Sequence, residues 1–322
     1  MSDRKTFALG IDVGGTTVKG ATVDRRGKIL DQCTSDTMAG KGPKAVISQI
    51  TLTIDQLLAG RKKSDCMGIG MGIPGVVSPG DGVVSYPPNF ADWKEVELQK
   101  LLHKHYALPV TVENDANVAA MAESRYGAAK SYPDFLFVIW GSGVGGGIIL
   151  DHKIFRGPSG GAGEVGHVTV KFDGPLCNCG NRGCIEAYIG QRYLSKRTRD
   201  LLESRPGSMP RSKIYDFVGG DLSKIEPAVI SRAALAGDRT AIGILEEAGE
   251  LLGAALASAF NILDLRIAVI GGGVSAVPEF VYASIKKSLR SRVLKSHKPG
   301  LRVLRAELGN AAGILGAASL AM

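Results

Sequence analysis

Three thiols and an imidazole offer the first chemistry in this sequence. His167 closes the run Glu164-Val165-Gly166-His167, and the cysteines follow in Cys177-Asn178-Cys179-Gly180-Asn181-Arg182-Gly183-Cys184-Ile185-Glu186. Together they make four soft or borderline ligands, the number that closes a tetrahedral structural zinc site. Gly180 and Gly183 allow the tight turning that brings thiolates together. The same cysteines would also serve as small core residues, but Asn178, Asn181 and Arg182 between them make a poor core sequence. His167 alone reads equally as a hydrogen-bonded structural residue.

A second polar cluster, Glu113-Asn114-Asp115-Ala116-Asn117, lies between the short predicted strand Val110-Thr111-Val112 and an Ala-rich stretch predicted to be helical to about Tyr126. Asp115 therefore falls at a helix N-terminus. Asp and Asn are favoured caps there, and a carboxylate at a strand-to-helix junction can also face a ligand. Three polar residues at one junction exceed what capping requires, which makes Asp115 a candidate site residue.

Three glycine turns follow apolar strands. Phe7–Val13 meets Asp12-Val13-Gly14-Gly15-Thr16-Thr17 before a strand resumes at Val18. Such a hairpin exposes backbone N–H groups and hydroxyls to a phosphate, with Asp12 placed to orient magnesium through water; alone, Gly-Gly between strands is as readily a plain turn. Phe135–Trp140 leads into Gly141-Ser142-Gly143-Val144-Gly145-Gly146-Gly147. Positions 141, 143 and 146 match G-x-G-x-x-G, yet the next residues read as a strand where a dinucleotide fold requires a helix, so a second phosphate hairpin is predicted. Arg266–Ile270 ends in Gly271-Gly272-Gly273-Val274, suited to a purine and ribose lying against backbone.

The elements that position these residues alternate between strands and helices. Helices are expected at about Pro43–Leu58, Trp93–Tyr106, Gln191–Leu202, Glu226–Ala236, Arg239–Leu263, Glu279–Leu294 and in the small-residue tail Leu308–Met322, which can fold back on the first lobe. Alternating glycines in Met67-Gly68-Ile69-Gly70-Met71-Gly72-Ile73 point to close backbone packing. The loop Tyr86-Pro87-Pro88-Asn89-Phe90-Ala91-Asp92-Trp93 carries an amide and, beyond Tyr86, the two aromatics Phe90 and Trp93, which can wall a sugar pocket; it fits a surface turn equally well.

With 322 residues the chain is long enough for two lobes. Its 43 glycines are nearly twice the usual share of about 7%, and they cluster at turns rather than spreading as in disorder. No run approaches the roughly 18 apolar residues of a membrane span, and Met1-Ser2-Asp3-Arg4-Lys5 lacks a signal-peptide core, so a cytoplasmic protein is expected. Five cysteines, three of them in the cluster, argue against a disulfide framework. The net charge of +8 comes partly from Arg61-Lys62-Lys63 and from Lys286 to Lys298. Without interleaved aromatics or a nucleic-acid fold these read as solvated helix faces, with a liking for anionic substrates.

In order and spacing, the three glycine turns, Glu113–Asn117, Glu164–His167 and Cys177-x-Cys179-x4-Cys184-x-Glu186 resemble the ROK family of sugar kinases in the actin-like ATPase superfamily, most nearly its bacterial glucokinases. The resemblance runs over nearly the whole chain. It implies an α/β fold of two lobes with mixed β-sheets flanked by helices and a cleft between them, residues 1–113 plus about 308–322 forming the smaller lobe and 114–307 the larger, zinc-bearing one. It implies ATP and Mg²⁺ as cofactors, structural Zn²⁺ on His167, Cys177, Cys179 and Cys184, and a homodimer or homotetramer. Asp115 becomes the general base, with Gly75, Asn89, Asn114, Glu164, His167 and Glu186 as sugar contacts. Asp12, Gly14, Gly15, Thr16, Thr17, Lys19, Gly141, Ser142, Gly143, Gly145, Gly271, Gly272 and Gly273 become nucleotide contacts.

The chemistry fits these roles. A sugar hydroxyl is a poor nucleophile, and a carboxylate in hydrogen-bond reach accepts its proton as phosphoryl transfer proceeds. The zinc, with four protein ligands, has no open position and would fix the loop holding His167 and Glu186, one ring nitrogen of His167 serving each task. The loop Pro88-Asn89-Phe90 with Trp93 resembles the version found in glucokinases, which implies glucose, phosphorylated at its 6-hydroxyl. N-acetylmannosamine, N-acetylglucosamine, mannose and fructose are the alternative acceptors, and polyphosphate an alternative donor that the cysteine cluster argues against. A sugar-sensing regulator of the same family would carry a helix-turn-helix ahead of the first phosphate strand, which begins here within the first ten residues.

Overall fold

A computed structural model describes residues 6–204 and 212–322; the polar start Met1–Lys5 lies outside them. In chain order, β1 (Phe7–Val13), β2 (Thr17–Asp24) and β3 (Ile29–Asp36) form a meander followed by α1 (Pro43–Leu58) and β4 (Cys66–Ile73). The short strands β5 (Val76–Val77), β6 (Val84–Ser85) and β7 (Glu95–Val96) precede α2 (Leu98–Tyr106), β8 (Val110–Asn114) and α3 (Asp115–Tyr126). Next come β9 (Phe135–Trp140), β10 (Val144–Leu150) and β11 (Lys153–Ile154), then α4 (Glu186–Ile189), α5 (Gln191–Glu203), α6 (Lys213–Phe217), α7 (Pro227–Leu235) and α8 (Arg239–Leu263). The chain ends with β12 (Ile267–Gly271), α9 (Glu279–Arg292), β13 (Arg302–Arg305) and α10 (Ala312–Leu320).

Two five-stranded sheets repeat one plan. The first has the order β3-β2-β1-β4-β8 and the second β11-β10-β9-β12-β13. In each, three consecutive strands lie side by side and two later strands extend the sheet beyond the first of them. The added strands run parallel, β4 to β1 and β8 to β4 in one sheet, β12 to β9 and β13 to β12 in the other. This is the α/β arrangement of the actin-like ATPases.

The chain divides into two compact units, Met1–Pro133 with Gly147–Gly163 and Ala306–Met322, and Asp134–Gly146 with Glu164–Arg305. This moves the expected boundary at 113/114. Helix α3 stays with the first unit because α10 packs on it. Gly147 joins it for a steric reason: a Cβ there would lie 3.0 Å from the Ala116 carbonyl and 2.8 Å from the Ala120 methyl.

In the first unit β1 is buried almost throughout, as a central strand covered on both faces must be. Helix α1 opens with Pro43 at its first turn and turns Val46, Ile50, Ile54 and Leu57 inward at helical spacing. The small-residue tail supplies α10, which rests backbone to backbone on the sheet. A Cβ on Gly10 would lie 2.0 Å from the Ile314 carbonyl oxygen, and one on Gly70 1.7 Å from that of Ala317. Glu123, fully buried on α3, fixes the chain that returns to α10 by accepting the backbone N–H groups of Glu307 at 3.0 Å and Leu308 at 2.9 Å. Gly70→Val therefore forces α10 off the sheet; a loss of about 3 kcal/mol is expected, read as a fall in Tm of about 2–4 °C per kcal/mol.

The helix expected from Trp93 begins only at Leu98, because Glu95 and Val96 pair with β6. No helix among the described residues is long and apolar enough to cross a membrane.

Candidate active site and metal centre

The first unit carries the carboxylate. Asn114, extended at the end of β8, is the N-cap of α3: its Oδ1 accepts the N–H of Ala116 at 2.9 Å and of Asn117 at 3.3 Å. Its Nδ2 donates to the Gly75 carbonyl at 3.0 Å, joining two of the predicted sugar contacts. Asp115 is the first helical residue, with Oδ1 accepting the Ala116 N–H at 2.8 Å. Capping is thus done by the neighbour, so the cap alone does not explain Asp115.

The loop after β6 is shaped by three non-glycine residues with positive φ: Tyr86, Asn89 and Asp92. Two of its aromatics, Phe90 and Trp93, are buried in the core rather than walling a pocket. Phe90 and Trp93 are 7% and 4% exposed, pack edge to face at 5.6 Å, and the Trp93 indole N–H donates to the Val84 carbonyl at 3.1 Å. They anchor the loop in the core and leave Asn89 exposed.

The hairpin between β1 and β2 is closed by the Gly14 N–H donating to the Thr17 carbonyl at 2.9 Å, and Thr37 Oγ1 donates to the Gly14 carbonyl at 2.6 Å. Gly15 and Thr16 stand exposed at its tip. Asp12 sits opposite Lys19 across the strands; burial pushes its carboxyl up, and the Lys19 ammonium offsets part of that. A partly buried carboxylate of this kind fits the neighbourhood of a hydrated cation.

The second unit holds the cysteines. The ligand atoms of His167, Cys177, Cys179 and Cys184 all lie within 4.8 Å of one another. Cys179 Sγ and Cys184 Sγ are 3.7 Å apart, and Cys177 Sγ lies 3.8 Å from His167 Nδ1. A tetrahedron with metal–sulfur bonds of about 2.3 Å has edges of about 3.8 Å, so the donor set fits a zinc-sized ion. Gly183 makes this fold of the chain possible: its φ is +72°, and a Cβ there would lie 1.6 Å from the Lys171 carbonyl oxygen. Without a cation, burial pushes the Cys184 thiol up to about 12 and raises Cys177, while the Asn181 backbone N–H draws Cys179 down.

His167 turns Nδ1 to the cysteines and Nε2 toward Glu164, whose Oε2 is 3.9 Å away. Glu186 is committed on both sides: Oε2 accepts the Val144 N–H at 2.9 Å, and Oε1 lies 3.8 Å from Cys177 Sγ. It thereby ties the Gly141–Gly145 hairpin to the cysteine loop. That hairpin is followed by β10, a strand, as expected. Ser142 is exposed at its tip.

Sequence reasoning missed two supports. Arg305 stacks on Tyr282 at 3.6 Å and donates to the Ser275 and Val277 carbonyls, bracing the loop after Gly271–Gly273. Arg156 pairs with Glu113 beside Asp115. Neither has a spacing signal; the partners meet only in the fold.

Residues 8–322 match the family described as the ROK family, and this chain belongs to it. It is 33% identical to a glucokinase of Thermotoga maritima over 98% of this chain and 97% of that one. A ROK family glucokinase from Streptomyces griseus, solved in complex with glucose and AMPPNP, is 34% identical with a TM-score of 0.81 over 98% of both chains. The xylose repressor of Bacillus subtilis is 28% identical over 98% of this chain and 76% of its own length.

Proposed function

We propose that this ROK-family, ATP-dependent sugar kinase transfers the γ-phosphoryl group of ATP to the 6-hydroxyl of glucose. The observation that carries the reading is the whole-chain likeness to the S. griseus glucokinase, whose complex contains glucose and an ATP analogue. Asp115 accepts the proton of the attacking hydroxyl, held at the start of α3 by the Asn114 cap. Asn89, Asn114 and the Gly75 turn bind sugar. Glu164 and His167 Nε2, 3.9 Å apart, grip a hydroxyl that donates to one and accepts from the other. Glu186 contacts the sugar and holds the Gly141–Gly145 hairpin; that hairpin, Gly14–Thr17 and Gly271–Gly273 each offer backbone N–H groups to the nucleotide. Lys19 and Asp12 pair across the two strands of the Gly14–Thr17 hairpin. Mg²⁺ near Asp12 would neutralise phosphate charge when bound; zinc on the cysteine cluster would keep His167 in place.

The test is ADP release with Mg·ATP and glucose, mannose, fructose, N-acetylglucosamine or N-acetylmannosamine. Selective turnover of glucose is expected. Preference for an N-acetyl sugar would overturn the substrate and keep the class, and sugar phosphate formed with polyphosphate in place of ATP, with no ADP released from Mg·ATP, would overturn the donor.

A further inference from the structure

One carboxylate beside Asp115 is engaged entirely by the protein. Glu113 lies on β8 opposite Gly72 of β4 and is 2% exposed. Its Oε1 accepts the Asn114 N–H at 2.9 Å and the Asn117 Nδ2 at 3.0 Å, and its Oε2 accepts Arg156 Nε at 2.5 Å. Asn114 and Asn117 flank Asp115, so one buried carboxylate grips both shoulders of that turn. Burying a carboxylate is costly unless it is paired and hydrogen-bonded, and helix capping does not call for it, since Asn114 already caps α3. Arg156 opens the turn closed by the Ala162 N–H to its carbonyl at 3.1 Å, and the chain then runs on to Glu164 and His167.

We infer that Glu113, held by Arg156, is the positioning residue for the Asp115 carboxylate, setting the turn for phosphoryl transfer rather than for sugar affinity. The inference rests on the reading of Asp115 as the base. A neutral polar pair, Glu113→Gln with Arg156→Gln, keeps an acceptor for Asn114 and Asn117 and leaves no buried unpaired charge. An apolar pair, Glu113→Leu with Arg156→Met, removes the acceptor.

Steady-state kinetics with glucose, calorimetric glucose binding and Tm are measured for both pairs and for Asp115→Asn. The apolar pair is expected to lose about 10–100-fold in kcat, as small misplacements of a reacting group do, with glucose affinity within about threefold. The glutamine pair should recover most of the rate. Wild-type kcat in the apolar pair, or equal losses of kcat and glucose affinity, would overturn the inference while an inactive Asp115→Asn leaves the base in place. An active Asp115→Asn would sink the base and the inference with it.

Discussion

Asp115→Asn is expected to lower kcat for glucose phosphorylation by about 10²–10⁴-fold, the range a positioned general base contributes. Asparagine is nearly isosteric, and its Oδ1 can still accept the Ala116 N–H that Asp115 Oδ1 accepts at 2.8 Å. The start of α3 and its Asn114 cap therefore stay intact, and glucose affinity, measured by calorimetry, should change by no more than about threefold. What is lost is the ability to take a proton. A large fall in glucose affinity with unchanged kcat would assign Asp115 to binding instead.

Cys184→Ser is expected to abolish metal binding, since the site offers only four donors and a tetrahedral ion uses them all. Metal content, measured by elemental analysis of the purified chain, should fall from about one zinc per chain to none. Tm should fall with it, and kcat/KM for glucose by at least about tenfold, because the Nδ1 side of His167 loses the partner that aims its Nε2. Retained kcat/KM in metal-free protein would show that the loop holds itself. The pH dependence has a definite sign. Burial holds the Cys184 thiol near 12 when no cation is present, so a metal binding near neutral pH must displace protons. Zinc affinity should weaken as pH falls, and proton release on zinc addition can be followed by calorimetry in buffers of different ionisation enthalpy.

The sequence makes the candidate metal site legible because its donors crowd one short segment, and scarce residue types at narrow spacing leave few readings. The glycine turns are legible for a similar reason: each follows an apolar run, and the strand after Gly141–Gly147 excludes a dinucleotide fold by period alone. Asp115 stands out as one polar residue more than a cap requires.

What stays hidden is set by contacts remote in sequence. Phe90 and Trp93 read as pocket walls, yet the positive φ of Asn89 turns the amide outward while both rings go to the core. The Glu113–Arg156 pair spans 43 positions and has no local signature. The expected boundary at 113/114 fails because α3 looks, from the sequence, like the first helix of a new lobe. Its partners, α10 and the chain at Glu307–Leu308, lie almost two hundred residues away.

The most direct test of the account is the product itself, followed by phosphorus NMR with purified protein, glucose and Mg·ATP. Glucose 6-phosphate and ADP are expected in equal amounts, with no phosphorylation at another carbon. ATP hydrolysis without a phosphorylated sugar, or a phosphate on any hydroxyl but the sixth, would contradict it.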